Sequence, residues 1–325
     1  MNALRSIAGD LRHAIRALAR ERAFTLVCVV SLGIGMGAVV ALATLGRGIT
    51  APARGISTDG VVELLVLPEG PLREKAGVWA LEQWSYPDYQ TLRDVETGID
   101  LTGWSLDSSE FGEPTPDQKT PLRVSTLYVS PNYFRTFGVS LARGQGFDAG
   151  LDDSPSAEPR VVLSHDFWIS RVGSDPDIVG KSVLVDGVPH TVVGITPEEF
   201  RGHFHFFQSP PSLLFVPLER HPRLRQEPTL RHDRTAEWVR IHGRLAPGVS
   251  LTEANGLVSS AVATLASRYP ATNQFKAAAV APYASLGAAD HPESMREFSV
   301  LLSLAAAVLL IVCVNISGMM LVRGA

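Results

Sequence analysis

The sequence predicts an α+β protein in which two transmembrane helices flank a two-lobed domain outside the membrane. Long uncharged stretches near both ends of the 325-residue chain predict the helices. The segment between them alternates strand-like and helix-like patterns, and it contains neither of the 2 cysteines of the chain. Its turns and caps divide it into an outer pair of β-α-β units and an inserted block, which favours two lobes.

The first apolar stretch, residues 23–46, carries no charge and is bracketed by Arg22 and Arg47. About 20 apolar residues cross a bilayer, so we expect transmembrane helix 1 here. Arginines outnumber acidic residues before the stretch, which places the N-terminus in the cytoplasm and the following domain outside. A cleaved signal peptide is the main alternative, because residues 51–53 resemble a cleavage site, but the apolar run exceeds the usual ~7–15 residues.

Residues 1–22 contain an amphipathic pattern. One helical stripe is apolar, the opposite stripe holds arginines, and Asp10 stands where a cap is expected. A basic amphipathic helix directly before a span is typical of a cytoplasmic membrane surface, where it contacts the lipid bilayer. A solvated charged helix is the alternative.

The second apolar stretch, residues 298–322, predicts transmembrane helix 2. Gly33 and Gly37 in the first stretch form a GxxxG pair, which allows another helix to approach closely. Asn315 and Ser317 in the second would be costly facing lipid, so we expect them to hydrogen-bond across a helix interface. These four residues are the predicted helix-packing positions.

The outer β-α-β units span residues 61–105 and 237–284. In the first, residues 61–67 and 99–104 are strand-like, and Ser85 is placed to cap the helix between them. In the second, residues 238–245 and 277–283 are strand-like around a helix headed by a Ser-Leu-Thr-Glu capping box. The helix face predicted to be buried consists of Ala254, Leu257, Val258, Ala261, Val262 and Leu265.

The inserted block covers residues 120–217 and follows a Ser-, Pro-, Gly- and Asp-rich segment, residues 107–121, that predicts a linker. Within the block, residues 122–129 are strand-like, and Pro131 suits the first position of a short helix. Ser164 is placed to cap a second helix. Two strand-like runs flank Asp186-Gly187, which predicts a tight hairpin.

The composition and motifs give no support for an enzyme. The 29 basic and 33 acidic residues leave no basic excess, which argues against a nucleic-acid partner. Ser164, His165 and Asp166 are adjacent on one helix and cannot form a proton relay. No motif indicates a cofactor, and no HExxH or CxxC pattern indicates a metal centre.

The four histidines at positions 203, 205, 221 and 232 could suggest a metal site, but without ligand spacing we interpret them as surface or interfacial loop residues. The neighbouring aromatic residues Phe204, Phe206 and Phe207 predict a partner-binding tip, since exposed aromatic side chains concentrate binding energy. Packing in the core is the alternative for these three rings.

The chain resembles a known family in several segments: VSPNYFRTFGVSLARGQGF, VVLSHDFWISRVGSDPDIVGKSVLVDGVPHTVVGITPEEFRG, WVRIHGRLAPGVSLTEA and LLSLAAAVLLIVCVNISGMMLVRGA. These segments are similar to the MacB-like periplasmic core domain and to the FtsX-like permease span, as found together in ABC-transporter permeases of a duplicated orphan type. The resemblance covers nearly the whole chain.

The resemblance implies a permease subunit in the bacterial inner membrane with a periplasmic core domain at residues 47–297. The outer units would form its porter-like lobe and the inserted block its sabre-like lobe. Implied partners are an ABC ATPase subunit, the remaining permease spans or a second permease copy as a homo- or pseudo-dimer, and an envelope protein or exported substrate. Relatives have four or eight spans, so we expect an N-terminal half or fragment.

The implied function is transmission of ATP-driven cytoplasmic motion to the periplasmic domain, for export or other work in the envelope. A membrane-anchored binding or regulatory module of the FtsX type, acting on envelope proteins, is the alternative that the sequence leaves open.

Overall fold

The structure, a computed structural model, describes residues 22–50, 53–69, 83–113, 121–203, 213–283 and most of 299–317. The chain forms two compact units, one of residues 1–50 with 292–325 and one of residues 51–291. In the first unit, helix α1 spans Arg22–Thr50, and the described residues between 299 and 317 are helical.

No helix among the described residues meets the combined requirements of length and apolar character for crossing a bilayer. The two transmembrane helices therefore stay predictions. The amphipathic helix predicted before them lies outside the described residues, apart from Arg22.

The second unit is an α+β domain, as predicted. Its elements in chain order are β1 Val61–Pro68, β2 Trp84–Ser85, α2 Tyr86–Arg93, β3 Ile99–Phe111, β4 Leu122–Val129, α3 Tyr133–Thr136, β5 Arg143–Gly144, α4 Ala149–Asp152, β6 Arg160–Leu163, α5 His165–Val172, β7 Ser182–Val185, β8 Val188–Ile195, β9 Leu213–Pro217, α6 Pro222–Gln226, β10 Glu237–Leu245, α7 Leu251–Arg268, α8 Pro270–Asn273 and β11 Lys276–Pro282. Single 3-10 turns at Leu218–Arg220 and Pro228–Arg231 flank α6.

The described strands of the domain form one eleven-stranded sheet in the order β11-β1-β10-β3-β4-β9-β6-β8-β5, with β2 on β10. Strand β7 pairs with both β8 and β3, so β3, β4, β9, β6, β8 and β7 form a closed ring. The closing contact pairs Phe111 with Val185. Backbone bonds on either side of it, Asp186 N to Glu110 O at 2.8 Å and Gly112 N to Leu184 O at 3.0 Å, reinforce the closure.

Two hydrophobic clusters lie on opposite faces of this sheet. Val62 belongs to the larger cluster and Val61 to the smaller, as expected when successive strand residues point to opposite faces. The larger cluster also contains Leu163 of the inserted block. Strand β3 of the outer units pairs with β10 and also with β4 of the inserted block, so the sheet continues through the predicted boundary between the lobes. The cores are thus divided by sheet face, not by sequence block.

Three predicted helix caps are confirmed. The side-chain oxygens of Ser85, Ser164 and Ser250 accept backbone N–H bonds at 3.2, 3.3 and 3.2 Å, respectively. The hairpin is also confirmed, because β7 and β8 are joined at Asp186 and Gly187, whose φ angles are +50° and +70°. The turn and cap residues in the sequence therefore predicted these elements correctly.

Three local predictions are wrong. The segment predicted as a linker from residue 107 is strand up to Phe111, because β3 keeps pairing with β4 along that length. Pro131 precedes α3, which begins at Tyr133. On α7, Leu257 is 42% exposed, whereas the other five predicted core residues are buried.

Candidate functional site

The chain enters and leaves the domain at neighbouring points. Strands β1 and β11 pair antiparallel with Val62 opposite Pro282, and Tyr283 N donates to Val61 O at 2.9 Å. The entry segment, residues 53–60, leads into β1, and Tyr283 follows β11. The two connections of this domain to the rest of the chain therefore lie at one corner of the sheet.

Arg244 of β10 holds the entry segment. Its Nη2 donates to Ser57 O at 3.0 Å, its Nη1 to Asp59 O, and its Nε to Thr136 O at 2.9 Å. The planar guanidinium can satisfy several acceptors in a fixed arrangement, which suits this bridging position. Ser57 N adds a bond to Phe137 O at 2.9 Å. The entry segment is thus attached to the sheet and to the end of α3.

Six aromatic side chains next to the entry and exit points form what we call the histidine–aromatic cluster: Trp104, Tyr133, Phe137, His203, His242 and Tyr283. The ring of His203 stacks on Phe137 with centroids 4.7 Å apart and meets the edge of Trp104 at 4.4 Å. His242 lies 5.1 Å from His203, ring centre to ring centre. The two imidazoles therefore occupy the middle of an aromatic core.

Hydrogen bonds orient the rings of this cluster. Trp104 Nε1 donates to His242 Nδ1 at 2.7 Å, which leaves the ring hydrogen of neutral His242 on Nε2. The hydroxyl of Tyr133 and His203 Nδ1 are 2.6 Å apart. The hydroxyl of Tyr283 donates to the backbone oxygen of His203. The residue after β11 is thereby bonded to the loop that precedes β9.

Burial governs the electrostatics of the cluster. It lowers the pKa of His242 to about 3, and the positive charge of Arg240 acts in the same direction. Burial also lowers the pKa of His203 well below its usual value, assisted by His242 and Arg240. At neutral pH both imidazoles are therefore uncharged, and they contribute packing and hydrogen bonds.

A second buried arrangement, the Asp88 network, lies around the start of β11 and consists of Asp88, Arg234, Glu237, Asn273 and Lys276. The Asp88 carboxylate has no exposed surface and forms an ion pair with Arg234. It accepts a bond from Asn273 Nδ2 at 3.1 Å, and Lys276 Nζ lies 3.8 Å from its other oxygen. Lys276 also pairs with Glu237 at 2.5 Å. Ion pairs therefore join α2, β10 and β11, and a hydrogen bond adds α8.

The predicted packing glycines in the first unit have open surroundings in the described structure. Nothing in that part of the chain lies within 4 Å of the position that a Cβ would take at Gly33 or Gly37. Gly35, between them, is buried, and a Cβ there would lie 2.9 Å from Leu309 Cδ1. The close approach that does occur is therefore at Gly35, and the role of the GxxxG pair stays a prediction.

The other predicted site residues are tested less directly. Ser317 is exposed, and its hydroxyl donates to Cys313 O at 2.8 Å within its own helix. Asn315 and the predicted tip, Phe204, Phe206 and Phe207, lie outside the described residues. Helix packing and tip binding by these residues stay predictions.

The structure corrects the interpretation of His203. Its side chain is 3% exposed and lies inside the aromatic cluster, and His221 is also buried, at 1% exposed, so neither is a surface histidine. No group of three or more potential ligands suited to a metal ion occurs among the residues that the structure describes. Asp88, His242 and Arg244 were not predicted as site residues from the sequence. The sequence marks these residues only as polar positions within segments otherwise expected to be buried. This signal is weak because it does not identify the partner of each residue.

The chain is similar to known proteins of one family. The model of the MacB-like periplasmic core domain matches residues 25–261. The probable syringafactin export ATP-binding/permease protein SyfD of Pseudomonas syringae pv. syringae is 26% identical over 185 residues, 55% of this chain and 27% of that protein. The macrolide export ATP-binding/permease protein MacB of Chromobacterium violaceum is 26% identical over 203 residues, 60% of this chain and 29% of that protein. The matched segment thus spans less than a third of either relative.

Two solved structures are also similar. The extracellular domain of the noncanonic ABC-type transporter YknZ from Gram-positive bacteria aligns with a TM-score of 0.45 and 14% identity, covering 67% of this chain and 98% of that one. The periplasmic region of MacB from Actinobacillus actinomycetemcomitans aligns with a TM-score of 0.47 and 16% identity, covering 75% of this chain and 94% of that one.

Proposed function

Because the chain belongs to the MacB-like periplasmic core domain family, we propose that it is a permease subunit of an ABC transporter that passes ATP-driven cytoplasmic motion to its periplasmic domain. The work done there is export or another task in the envelope. The names of the curated relatives, which are ATP-binding/permease export proteins, support a partner that binds ATP. The chain itself then carries no catalytic site.

The observation that carries this proposal is the attachment of the entry segment and of Tyr283 to one corner of the sheet. Arg244 bonds two backbone oxygens of the entry segment and a third, Thr136 O, at the end of α3, and β11 with Tyr283 holds the exit. A domain on flexible tethers would absorb displacement in the tethers, whereas hydrogen-bonded attachment to a packed sheet moves the domain with them. This arrangement suits a part that responds to motion of the adjoining helices.

The proposal places the chain in the bacterial inner membrane, with spans at residues 23–46 and 298–322 and the domain between them in the periplasm. Gly33, Gly37, Asn315 and Ser317 would pack against the remaining permease spans or a second copy. The tip at Phe204, Phe206 and Phe207 would contact an envelope protein or exported substrate.

The test is co-purification of the full chain from its native host in mild detergent, followed by hydrogen exchange with and without ATP. We expect an ATP-binding subunit to co-purify and ATP to alter exchange within residues 53–283. Replacing Arg244 with Gln should leave ATP hydrolysis intact but abolish the ATP-dependent change in exchange, because the entry segment is released. Arg123→Gln, at an exposed position on β4, is the matched control and should behave as the parent protein.

Recovery of a cell-wall hydrolase in place of an ATP-binding subunit would contradict transport and favour the regulatory alternative. An Arg244→Gln variant that kept the full ATP-dependent change in exchange would show that the entry segment does not transmit the motion.

A further inference from the structure

One edge of strand β3 is open between its neighbours β10 and β7. Strand β10 pairs with β3 from Ile99 to Trp104, and β7 pairs with it at Phe111. Strand β4 covers the opposite edge of β3 from Trp104 to Phe111 without a gap. Between residues 105 and 110, none of the described strands pairs with the first edge. We call this part of β3 the open edge.

The neighbouring hydrogen bonds show which backbone groups point to the open edge. Gly103 O accepts from Ser130 N, directly after β4, at 2.9 Å. Glu110 O accepts from Asp186 N, directly after β7, at 2.8 Å. Successive residues of a paired strand direct their N–H and C=O groups to alternate edges. The even-numbered residues between 104 and 110 therefore direct these groups to the open edge.

Three backbone groups at the open edge have no hydrogen-bond partner within the described part of the chain: Leu106 N–H, Leu106 C=O and Ser108 C=O. Ser108 N donates to Oδ1 of the neighbouring Asp107 at 2.7 Å. All three residues are exposed, so another molecule can reach these groups. A strand edge with unpaired donors and acceptors is a template for pairing with another extended backbone.

One face of the sheet at the open edge is apolar. Leu106 lies on this face opposite Leu127 of β4, which is fully buried. The side chain of Leu106 is 42% exposed, since no described strand lies beyond it. Apolar side chains directly opposite each other on adjacent strands stabilise a sheet. An added strand would therefore be favoured by an apolar residue opposite Leu106.

The other face of the open edge is acidic. Asp107 lies there with a side chain that is 44% exposed and 3.9 Å from His221 Nε2. Burial lowers the pKa of His221 to about 4, so this ring is uncharged at neutral pH and does not neutralise Asp107. The charges of Asp107, Asp186 and Arg225 all act on the pKa of Tyr128, so they lie near one another. Two acidic residues against one basic residue favour a Lys or Arg in an added strand.

We propose that the open edge binds an extended polypeptide segment of another protein, with apolar residues opposite Leu106 and Ser108 and a Lys or Arg opposite Asp107. Both strands on this edge, β10 and β7, run antiparallel to β3, so an added antiparallel strand continues the sheet between them. In strand addition, backbone hydrogen bonds give affinity and alternate side chains give specificity. The proposal goes beyond the proposed function, since binding requires neither ATP nor an ATP-binding subunit.

The probe is a capped, fluorescently labelled peptide, Lys-Val-Lys-Val-Lys, and fluorescence anisotropy measures its binding to the full chain in detergent. In the proposed register, the N–H groups of both valines point toward β3 and that of the central lysine points away. Methylating both valine nitrogens should weaken binding about tenfold or more, because hydrogen bonds are lost. Methylating the central lysine nitrogen should leave binding unchanged. The three peptides carry equal charge, which separates backbone pairing from electrostatic attraction.

Two variants of the chain test the same contacts. Leu106→Pro removes the unpaired N–H and should weaken binding about tenfold, whereas the control Leu106→Val keeps the N–H and should bind as the parent protein. Proline is tolerated at strand edges, and the chain loses no internal hydrogen bond in this variant. Asp107→Asn keeps the oxygen that accepts from Ser108 N but removes the charge, and it should weaken binding several-fold.

No binding of the peptide to the parent protein, as expected if another part of the chain fills the edge, would overturn the proposal. Equal losses from both methylation patterns, or unchanged binding to a folded Leu106→Pro variant, would also overturn it. Binding that appears only on dilution to a monomer would assign the edge to a second copy instead. If Leu106→Pro does not fold, the methylated peptides decide the question on the parent protein. An ATP-binding subunit that still co-purified would leave the proposed function intact.

Discussion

The histidine–aromatic cluster and the Asp88 network both hold strand β11 in place, but through different interactions. The cluster binds the residue that follows the strand through neutral rings and hydrogen bonds, and the network holds its first residue, Lys276, through buried charges. Neutral rings are stable when packed, whereas each buried charge depends on its partners for compensation. The network is therefore sensitive to loss of one partner and the cluster to protonation.

The largest effect that separates the two regions is expected from Asp88→Asn. This change leaves buried Lys276 and partly buried Arg234 with less compensation, which should lower the free energy of unfolding by about 3–5 kcal/mol. Denaturant titration of the full chain in detergent measures it. The control is Asp100→Asn, which removes a partly exposed pair with Arg135 and should cost about 1 kcal/mol or less. Similar losses of unfolding free energy in both variants would contradict the expected difference between the buried network and an exposed ion pair.

A pH effect of intermediate size is expected from the cluster. Because the folded-state pKa of His242 is about 3, below its ordinary value of 6.5, the unfolded chain binds this proton more readily. Stability from His242 is thus complete above pH 6.5 and falls progressively toward pH 3, by up to about 1.4 kcal/mol per pH unit.

The variant His242→Asn removes the titrating ring and should make unfolding less pH-dependent between pH 6.5 and 4.5. Thermal unfolding at a series of pH values measures this slope. His232→Asn, at an exposed histidine, should keep the slope of the parent protein. An unchanged slope in His242→Asn would show that the buried imidazole is not responsible.

The smallest effect is expected from Tyr283→Phe. It removes only the hydroxyl that donates to His203 O and keeps the ring in the cluster. The free energy of unfolding should therefore fall by about 1 kcal/mol. The same denaturant titration measures it, and the pH slope should not change. A loss as large as that of Asp88→Asn would mean that the cluster depends on its hydrogen bonds more than on ring packing.

Much of the local structure could be predicted from the sequence. The strand β1, the hairpin at Asp186-Gly187 and the serine caps depend on residues within a few positions of one another. The candidate site could not be predicted in this way. His203 and Tyr133 are 70 residues apart in the chain, and Asn273 and Asp88 are 185 apart.

The sequence by itself determined the α+β class, the position of most strands and helices, and the resemblance to its family. Only the tertiary structure decided that β7 closes a ring onto β3, that the pairing of β3 with β4 joins the two predicted lobes in one sheet, and that Arg244 reaches the entry segment. The physical reason is that alternation of apolar residues shows that a strand has a buried face, whereas the identity of its partners depends on packing between distant segments.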